Sequence, residues 1–458
     1  SFSSSFSCPC CSFLSYNDLF LPVTATTGGE REEIDAPIKK NGEEEEEDMM
    51  SPLDALDQIR IASPPTEEEE DNKGEKRRKR VLLVDTHGHP HLNRERQSHY
   101  INPDKDENDD NNNNSNTIRL SCAVSESDWT QTLQYASTSK SILPALGIHP
   151  WYLSSLSPTY LHDLEILLQQ HPNAIVGEIG LCKVAKFIRT YEEGKTAALE
   201  LQRRVFREQL ELAVRLKRVV SVHCVQQHGV LMSLLKEMRE EAKIRIAKER
   251  KLEQKGDGRE EEGGGDDNSK WCLADAFPPK IGMHSFTGTA HHVKELLAFE
   301  ESLYDTFSDR RGKKKAKKKK KKKKQKEDDD GNQHDDAVEK DENTIQNPAL
   351  KRKPIFYFGF SHSINVVMCS SSKSRKQGIE AIRAVPTNRL LAESDVHSHE
   401  DVPAATAGSV SYIAKAIGWD LMDTAELTAL NGFEFLGVGD GGNDDVLQQQ
   451  QQKLGMSS

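Results

Sequence analysis

Apolar side chains are scarce in this chain. Of 458 residues only 35% are apolar and 6% aromatic, against 30% charged, and the mean hydropathy is -0.70. A chain folded along its whole length would hold more core-forming residues, so part of this one is expected to lie outside any core. No run approaches the ~18 consecutive apolar residues of a membrane span, so no membrane association is expected. The opening SFSSSFSCPCCSFLSYNDLF has neither a basic leader nor a long apolar stretch, and no targeting peptide is expected there. Cysteine is sparse too. Cys8, Cys10 and Cys11 sit together, while Cys122, Cys182, Cys224, Cys272 and Cys369 are scattered, which is no disulfide framework and fits a reducing compartment, cytoplasmic or nuclear. A Gly-rich phosphate loop after the first apolar run is also lacking, which argues against a doubly wound nucleotide fold.

The hydrophilic excess is local. It lies in the acidic runs Glu43 to Asp48 and Glu67 to Asp71, the Asp/Asn tract Asp104 to Asn116, the Gly/Glu/Asp stretch Gly256 to Asp267, the lysine run Lys313 to Lys326 and the glutamines near Gln448. None of these can bury apolar surface. The expected organisation is a disordered acidic arm over 1–80, a barrel domain over 81–435 with disordered insertions near 93–117, 252–270 and 309–352, and a tail over 436–458. About 270 residues then remain for one large α/β core. The net charge of -12 is mostly the arm's. With 10 basic and 19 acidic residues, the arm carries -9, so net charge says little about what the folded surface binds. The lysine run and RRKR at 77–80 suit nuclear import or a loose nucleic-acid tether, though a solvated insertion explains the lysine run more simply.

Eight short β-branched runs alternate with helical periods: VLLVD (81–85), IRLSCAV (118–124), SILPALGI (141–148), AIVGE (174–178), VVSVH (219–223), KIGMHS (280–285), IFYFGFS (355–361) and RLLAESD (389–395). Helix-period stretches such as LHDLEILLQQH and HHVKELLAFEESL separate them. Eight βα units predict a single-domain (β/α)8 TIM barrel. In that fold the active site is built at the carboxyl ends of the strands, and the polar residues fall there: His87 and His89, His149, Glu178, His223, His284, Ser361 and Asp395. The tract after run one should rise on the site face. The Gly/Glu and lysine tracts, each preceding a strand, should hang from the opposite face.

Residues two apart on a strand end share a face, so His87 and His89 present two imidazoles to one point. Glu178 ends an almost wholly apolar run, where an unpaired carboxylate is costly. Singly, Glu178 is as readily a salt-bridge partner, and His223 or His284 a satisfied core histidine. Six ligand types at six strand ends are hard to obtain by accident, and four imidazoles with Glu178 and Asp395 suffice for two divalent ions sharing one carboxylate. Glu393 stands on the same side as Asp395. Trp151, beside His149, is a candidate rim residue able to stack a base, or an ordinary barrel-edge aromatic. Cys224 is expected to point away from the site and pack.

The stretches DTHGHPHL, ALGIHPW, VGEIGL, VSVHC, HSFTG, GFSHSIN, RLLAESD and TALNGFEFLG, in this order over 81–437, resemble the TatD family of metal-dependent hydrolases, often described as deoxyribonucleases. SVHCVQQHG and ESDVH look closer to a fungal branch described as interacting with a tetratricopeptide subunit of the anaphase-promoting complex. The resemblance implies a barrel monomer with two divalent ions (Mg, Mn or Zn), one held by His87, His89, Glu178 and Asp395 and one by Glu178, His223 and His284. It implies DNA as substrate, Asp395 as general base, His149 at the substrate phosphate or leaving group, and Glu393 beside Asp395 in a supporting role; with His149, Trp151 and Glu393 are the candidate substrate-binding residues. Three positions depart from the family pattern: Cys182 replaces an Asp, Val225-Gln226 replaces an Arg, and His397 replaces a Pro. Two other readings follow, a metal hydrolase of the same fold acting on C–N or lactone bonds, and an interaction protein of weakened activity that binds a tetratricopeptide partner.

Overall fold

The computed structural model describes residues 49–62, 83–93, 117–256, 272–304 and 353–438. The predicted insertions near 93–117, 252–270 and 309–352 and the tail over 436–458 fall almost wholly outside these residues, as does most of the arm.

All eight predicted strands form: β1 (Leu83–Gly88), β2 (Thr117–Cys122), β3 (Ile142–Leu146), β4 (Ile175–Cys182), β5 (Val220–Val225), β6 (Ile281–Met283), β7 (Phe356–Ser361) and β8 (Leu390–Glu393). They pair in parallel and in sequence order. Past the end of the β8 ladder the chain returns to β1: Asp395 N donates to the His87 carbonyl at 3.0 Å, and His89 N donates to that of Val396 at 2.9 Å. The helices are α1 (Pro52–Ala62), α2 (Trp129–Ser137), α3 (Tyr160–Gln170), α4 (Lys186–Thr190), α5 (Gly194–Arg215), α6 (His228–Gly256), α7 (Ala290–Tyr304), α8 (Ser372–Ala384), α9 (Val402–Ile417) and α10 (Leu421–Leu436). This is the (β/α)8 barrel that the alternation of periods implies.

Inside the barrel Val84, Leu120, Cys122, Leu143, Ala145, Ile175, Tyr357 and Leu391 pack into one cluster with Phe435 and Leu436 of α10. The amino end of the barrel is therefore plugged by a helix. Two glycines allow the approach: a Cβ on Gly282 would lie 2.6 Å from the Phe435 ring, and one on Gly432 would lie 2.6 Å from Val84. Asn431 pins the plug by donating to the carbonyls of Thr387 and Leu390, both at 2.8 Å.

On the outside, Glu300 of α7 receives Arg389 in a two-bond pair at 2.7 and 2.8 Å, and its Oε2 also accepts the backbone N–H groups of Ile355 (3.0 Å) and Phe356 (2.9 Å). The chain thus enters β7, directly after residues 305–352, on a fixed and nearly buried carboxylate. Such a pair is costly to break from one side, because the surviving charge stays buried.

Two expectations need correction. Residues 1–80 are not all outside the fold: α1 buries Ala55, Leu56 and Ile59 against the body of the protein. The reason lies in α9, VPAATAGSVSYIAKAI, which is apolar around its whole circumference and buried almost throughout. A helix of that kind must be covered on both sides. The barrel covers one, and α1 covers the other, with Pro52 seated on Gly408. Nor does β4 end at Glu178. It runs on to Cys182, with a register irregularity against β5 between Val176 and Ile179.

Ile59→Ala is expected to cost about 2–4 kcal/mol, the range for a fully buried aliphatic side chain. Urea unfolding of the whole chain measures it, and a loss below about 0.5 kcal/mol would place α1 outside the cooperative unit.

Candidate metal centre

β1 carries His87 to the barrel mouth and the turn after it carries His89. The backbone there is held by Asp85, buried completely, which accepts Ser394 N (2.8 Å), Ser394 Oγ (2.6 Å) and His87 N (3.2 Å). One carboxylate therefore fixes both the His87-bearing strand and the strand end that carries Asp395. Asp395 itself turns through a left-handed backbone, φ 51°, and Ser285 does the same at φ 36°. Non-glycine residues seldom adopt this conformation, and here backbone and side-chain bonds hold it.

The six predicted ligands converge. Glu178 lies at the centre: Oε2 is 3.4 Å from Nε2 of both His87 and His89, and Oε1 is 2.9 Å from His223 Nδ1, 3.4 Å from His149 Nε2 and 3.7 Å from His284 Nε2. Asp395 closes the other side, 3.8 Å from His89 Nε2 and 3.6 Å from His284 Nε2. Three overlapping groups of nitrogen and oxygen atoms are close enough to share an ion: His87 with His89 and Glu178, His87 with His284 and Asp395, and His149 with Glu178 and His223. His284 stands with Asp395 and His87 in these groups, its ring stacked 3.4 Å from that of His87.

Three of the imidazoles are oriented from behind, as metal-ligating histidines usually are. His87 Nδ1 meets Ser221 Oγ at 3.0 Å, His89 Nδ1 donates to the Cys122 carbonyl at 2.7 Å, and His284 Nδ1 donates to Glu393 Oε2 at 3.2 Å. Those contacts turn the Nε2 atoms inward. His149 differs, since its Nδ1 accepts the N–H of Trp151 at 3.2 Å, so the neutral ring carries its proton on Nε2. That makes Nε2 a donor, suited to an anionic oxygen.

Glu393, a substrate-binding candidate in the sequence, stands 3.2 Å from His284 Nδ1. It is buried beneath His284 and accepts Ser285 N at 2.7 Å. Gly359 makes its room, for a Cβ there would sit 1.7 Å from Glu393 Oε1. Trp151 is half-buried, and its indole N–H donates to the Cys182 sulfur at 3.2 Å. Cys224 packs in the core, as its register implies. His397 lies near the mouth, its ring centre 5.4 Å from that of His89. Sequence reasoning misses the orienting groups Asp85, Ser221, the Cys122 carbonyl and Ser285, which lies 2.7 Å from Ser361 at Oγ and donates to Asp395 Oδ2 at 3.2 Å. Only the Asp before THGH and the Ser after MH offered any sign of them.

Charge in the cluster is tightly coupled. Burial alone would raise the Glu178 carboxyl, but His149, His284 and His87 around it outweigh burial and hold it well below the usual range. Asp395 is likewise lowered, because His284, His87 and His89 outweigh its burial. Burial takes His87 and His149 down to about 4, so both rings are neutral at pH 7. His89 is lifted to about 9 against burial by Glu178 and Asp395, and His223 to about 10 by Cys182 and Glu178. The ring protons thus supply positive charge that divalent cations would supply in their place. Imidazole nitrogen and carboxylate oxygen are the donors of a borderline divalent ion, and the residues present fit such an ion.

A parallel barrel whose mouth gathers imidazoles around one central carboxylate has the donor set of a candidate metal centre. Residues 84–329, more than half of the 458, match the family described as TatD related DNase, and the chain belongs to that family. It is 24% identical over 352 residues, 65% of this chain and 84% of the relative, to the Cut9-interacting protein scn1 of Schizosaccharomyces pombe. Among solved structures it is similar to a TatD homologue of Escherichia coli K12 (15% identity, TM-score 0.47, covering 78% of this chain and 99% of that one). It is also similar to a TatD-family hydrolase of Entamoeba histolytica (11%, TM-score 0.41, 70% and 85%). Among the described residues no helix is long and apolar enough to cross a membrane.

Two outcomes are expected. Asp85→Ala strands three buried donors and should cost about 3 kcal/mol or more, read from denaturant midpoints with metal withheld. Metal affinity should rise with pH until His89 and His223 have lost their protons, near pH 9 to 10, because the ion must displace them. Calorimetric titrations in buffers of different ionisation enthalpy would show proton release at pH 7, and its absence would contradict the protonated state.

Proposed function

We propose that the chain is a divalent-metal-dependent hydrolase of phosphodiester bonds in nucleic acid. The observation that carries this reading is the central Glu178, whose two oxygens face separate histidine groups. His87, His89 and Asp395 would complete one site with Glu178, and His223 and His284 the other. Bound there, Mg, Mn or Zn would polarise the phosphate and activate water.

The remaining steps belong to the protein. Asp395, anchored by the Ser285 hydroxyl, is the base that accepts the proton of the attacking water. Its lowered pKa keeps it ionised at neutral pH. His149, neutral and protonated on Nε2, donates to a non-bridging oxygen or to the leaving group. Trp151 supplies an apolar rim beside His149, its ring centre 6.4 Å from the imidazole. Glu393 acts indirectly, by holding His284.

A second reading is favoured by a specific observation. The Schizosaccharomyces pombe relative is named for an interaction with Cut9. A tetratricopeptide protein is the partner class implied by the sequence resemblance, and a barrel that keeps its ligands while losing turnover would serve such a role.

The two readings separate in one set of assays on the full chain. Purified protein with added Mg, Mn or Zn should cleave single-stranded DNA, and a chelator should abolish cleavage. Glu178→Gln should lose both bound metal and activity, by about 100-fold or more. His149→Ala should lower activity by about 100-fold or more while retaining two ions per chain. Loss of an ion in His149→Ala would make His149 a ligand. A chain that binds two ions yet leaves DNA, RNA and small phosphodiesters intact would sink the nuclease reading. Faster cleavage of small amides or lactones would move the activity to C–N or lactone bonds.

A further inference from the structure

Two glutamines of α5, Gln202 and Gln209, are fully buried and lie two turns apart on one face of the helix. Both reach main chain rather than side chains. Gln209 Oε1 accepts Ile148 N at 2.7 Å, and its Nε2 donates to the Ile148 carbonyl at 3.2 Å. Gln202 Oε1 accepts Cys182 N at 3.0 Å, and its Nε2 donates to the carbonyls of Cys182 and Pro150, both at 3.1 Å. The backbone is thus gripped on either side of His149. A side-chain amide suits both places, since each asks one oxygen to accept and one nitrogen to donate.

The grip bears on the His149 ring through the geometry of the peptide group. The Pro150 carbonyl and the Trp151 N–H belong to one planar trans unit and point in opposite directions. With Gln202 holding the carbonyl, the N–H is turned onto His149 Nδ1, at 3.2 Å. The Ile148 carbonyl and the His149 N–H form another such unit, held by Gln209 at one end and at the other by the Val124 carbonyl, 2.9 Å away. In His87, His89 and His284 the Nδ1 atom is met by a group from another strand. The Nδ1 partner of His149 lies in its own loop, so its tautomer depends on what holds that loop.

We propose that Gln202, backed by Gln209, is a positioning residue for His149: it keeps the Trp151 N–H on Nδ1, and thereby the ring proton on Nε2, 3.4 Å from Glu178 Oε1. Because the same amide holds Cys182, the loop of His149 is registered to the strand that carries Glu178. Without that amide the peptide unit is released. A neutral imidazole then divides between its two tautomers, and the one protonated on Nδ1 turns a lone pair toward Glu178. The consequence for cleavage rests on the nuclease reading of the site; the tautomer does not.

The tautomer is read in the metal-free full chain carrying isotope-labelled histidine, from long-range proton–nitrogen NMR spectra at neutral pH, with the His149 signals identified by their loss in His149→Ala. Wild type should show His149 protonated on Nε2 alone. Gln202→Met, which keeps the length of the side chain and removes its hydrogen bonds, should show two tautomers in exchange. Should that variant fail to fold, Gln202→Glu, which sets a carboxylate against two carbonyls, is expected to do the same. A folded Gln202 variant that keeps the proton on Nε2 alone would overturn the proposal, and so would mixed tautomers in wild type. In cleavage of single-stranded DNA with manganese, Gln202→Met should lower kcat by about 10-fold or more, with KM and bound metal unchanged. Added to His149→Ala, the same substitution should have no further effect. A further loss of similar size there would mean that Gln202 acts by another route, and would also overturn the proposal. If wild type leaves DNA intact, the nuclease reading fails and the NMR result alone decides the positioning.

Discussion

A carboxylate buried in the middle of a ring of imidazoles is the constraint on which this structure turns. Glu178 is 2% exposed and meets five histidines from four other strand ends within 3.7 Å. Bringing a charge there is affordable only because the neighbouring imidazoles offer ring protons, and because the barrel holds those neighbours at fixed distances. The cluster is thus both the candidate site and a liability that the rest of the mouth is built to contain. Asp85, Ser221, Glu393 and the Cys122 carbonyl each fix a backbone or a ring behind it.

The same logic explains the polar character of the β1–β8 seam. The main-chain bonds that close it are those of Asp395 and His89, so the closing bonds and the site share residues. Deforming the mouth would open the seam. At the opposite end the closure is apolar, with α10 pressed into the barrel by Phe435 and Gly432. Chemistry and stability are divided between the two ends of the barrel, as this fold generally divides them.

How much was legible beforehand varied with the kind of interaction. The eight strands were readable because β-branched runs and helical periods are local signals. The six candidate ligands were readable because each follows such a run, and the barrel sends every strand end to the same mouth. The depth of Glu393 was not readable, because alternation reports which side of a strand a residue is on and not how deep it lies, and Gly359 opposite leaves it a pocket beneath His284. Helix α1 was missed because eleven residues between two acidic runs carry little signal, and its reason to fold is the bare outer face of α9, some 350 residues away in the chain.

Strand count, strand order and the list of ligand-type residues were therefore determined by the sequence itself, since periodicity and residue chemistry act over a few neighbours. Which nitrogen of each imidazole turns inward, and which carboxylate is central and which is hidden, were decided only by the tertiary structure. Those properties depend on hydrogen bonds between residues up to 309 positions apart, such as Asp85 with Ser394, and no local pattern encodes them.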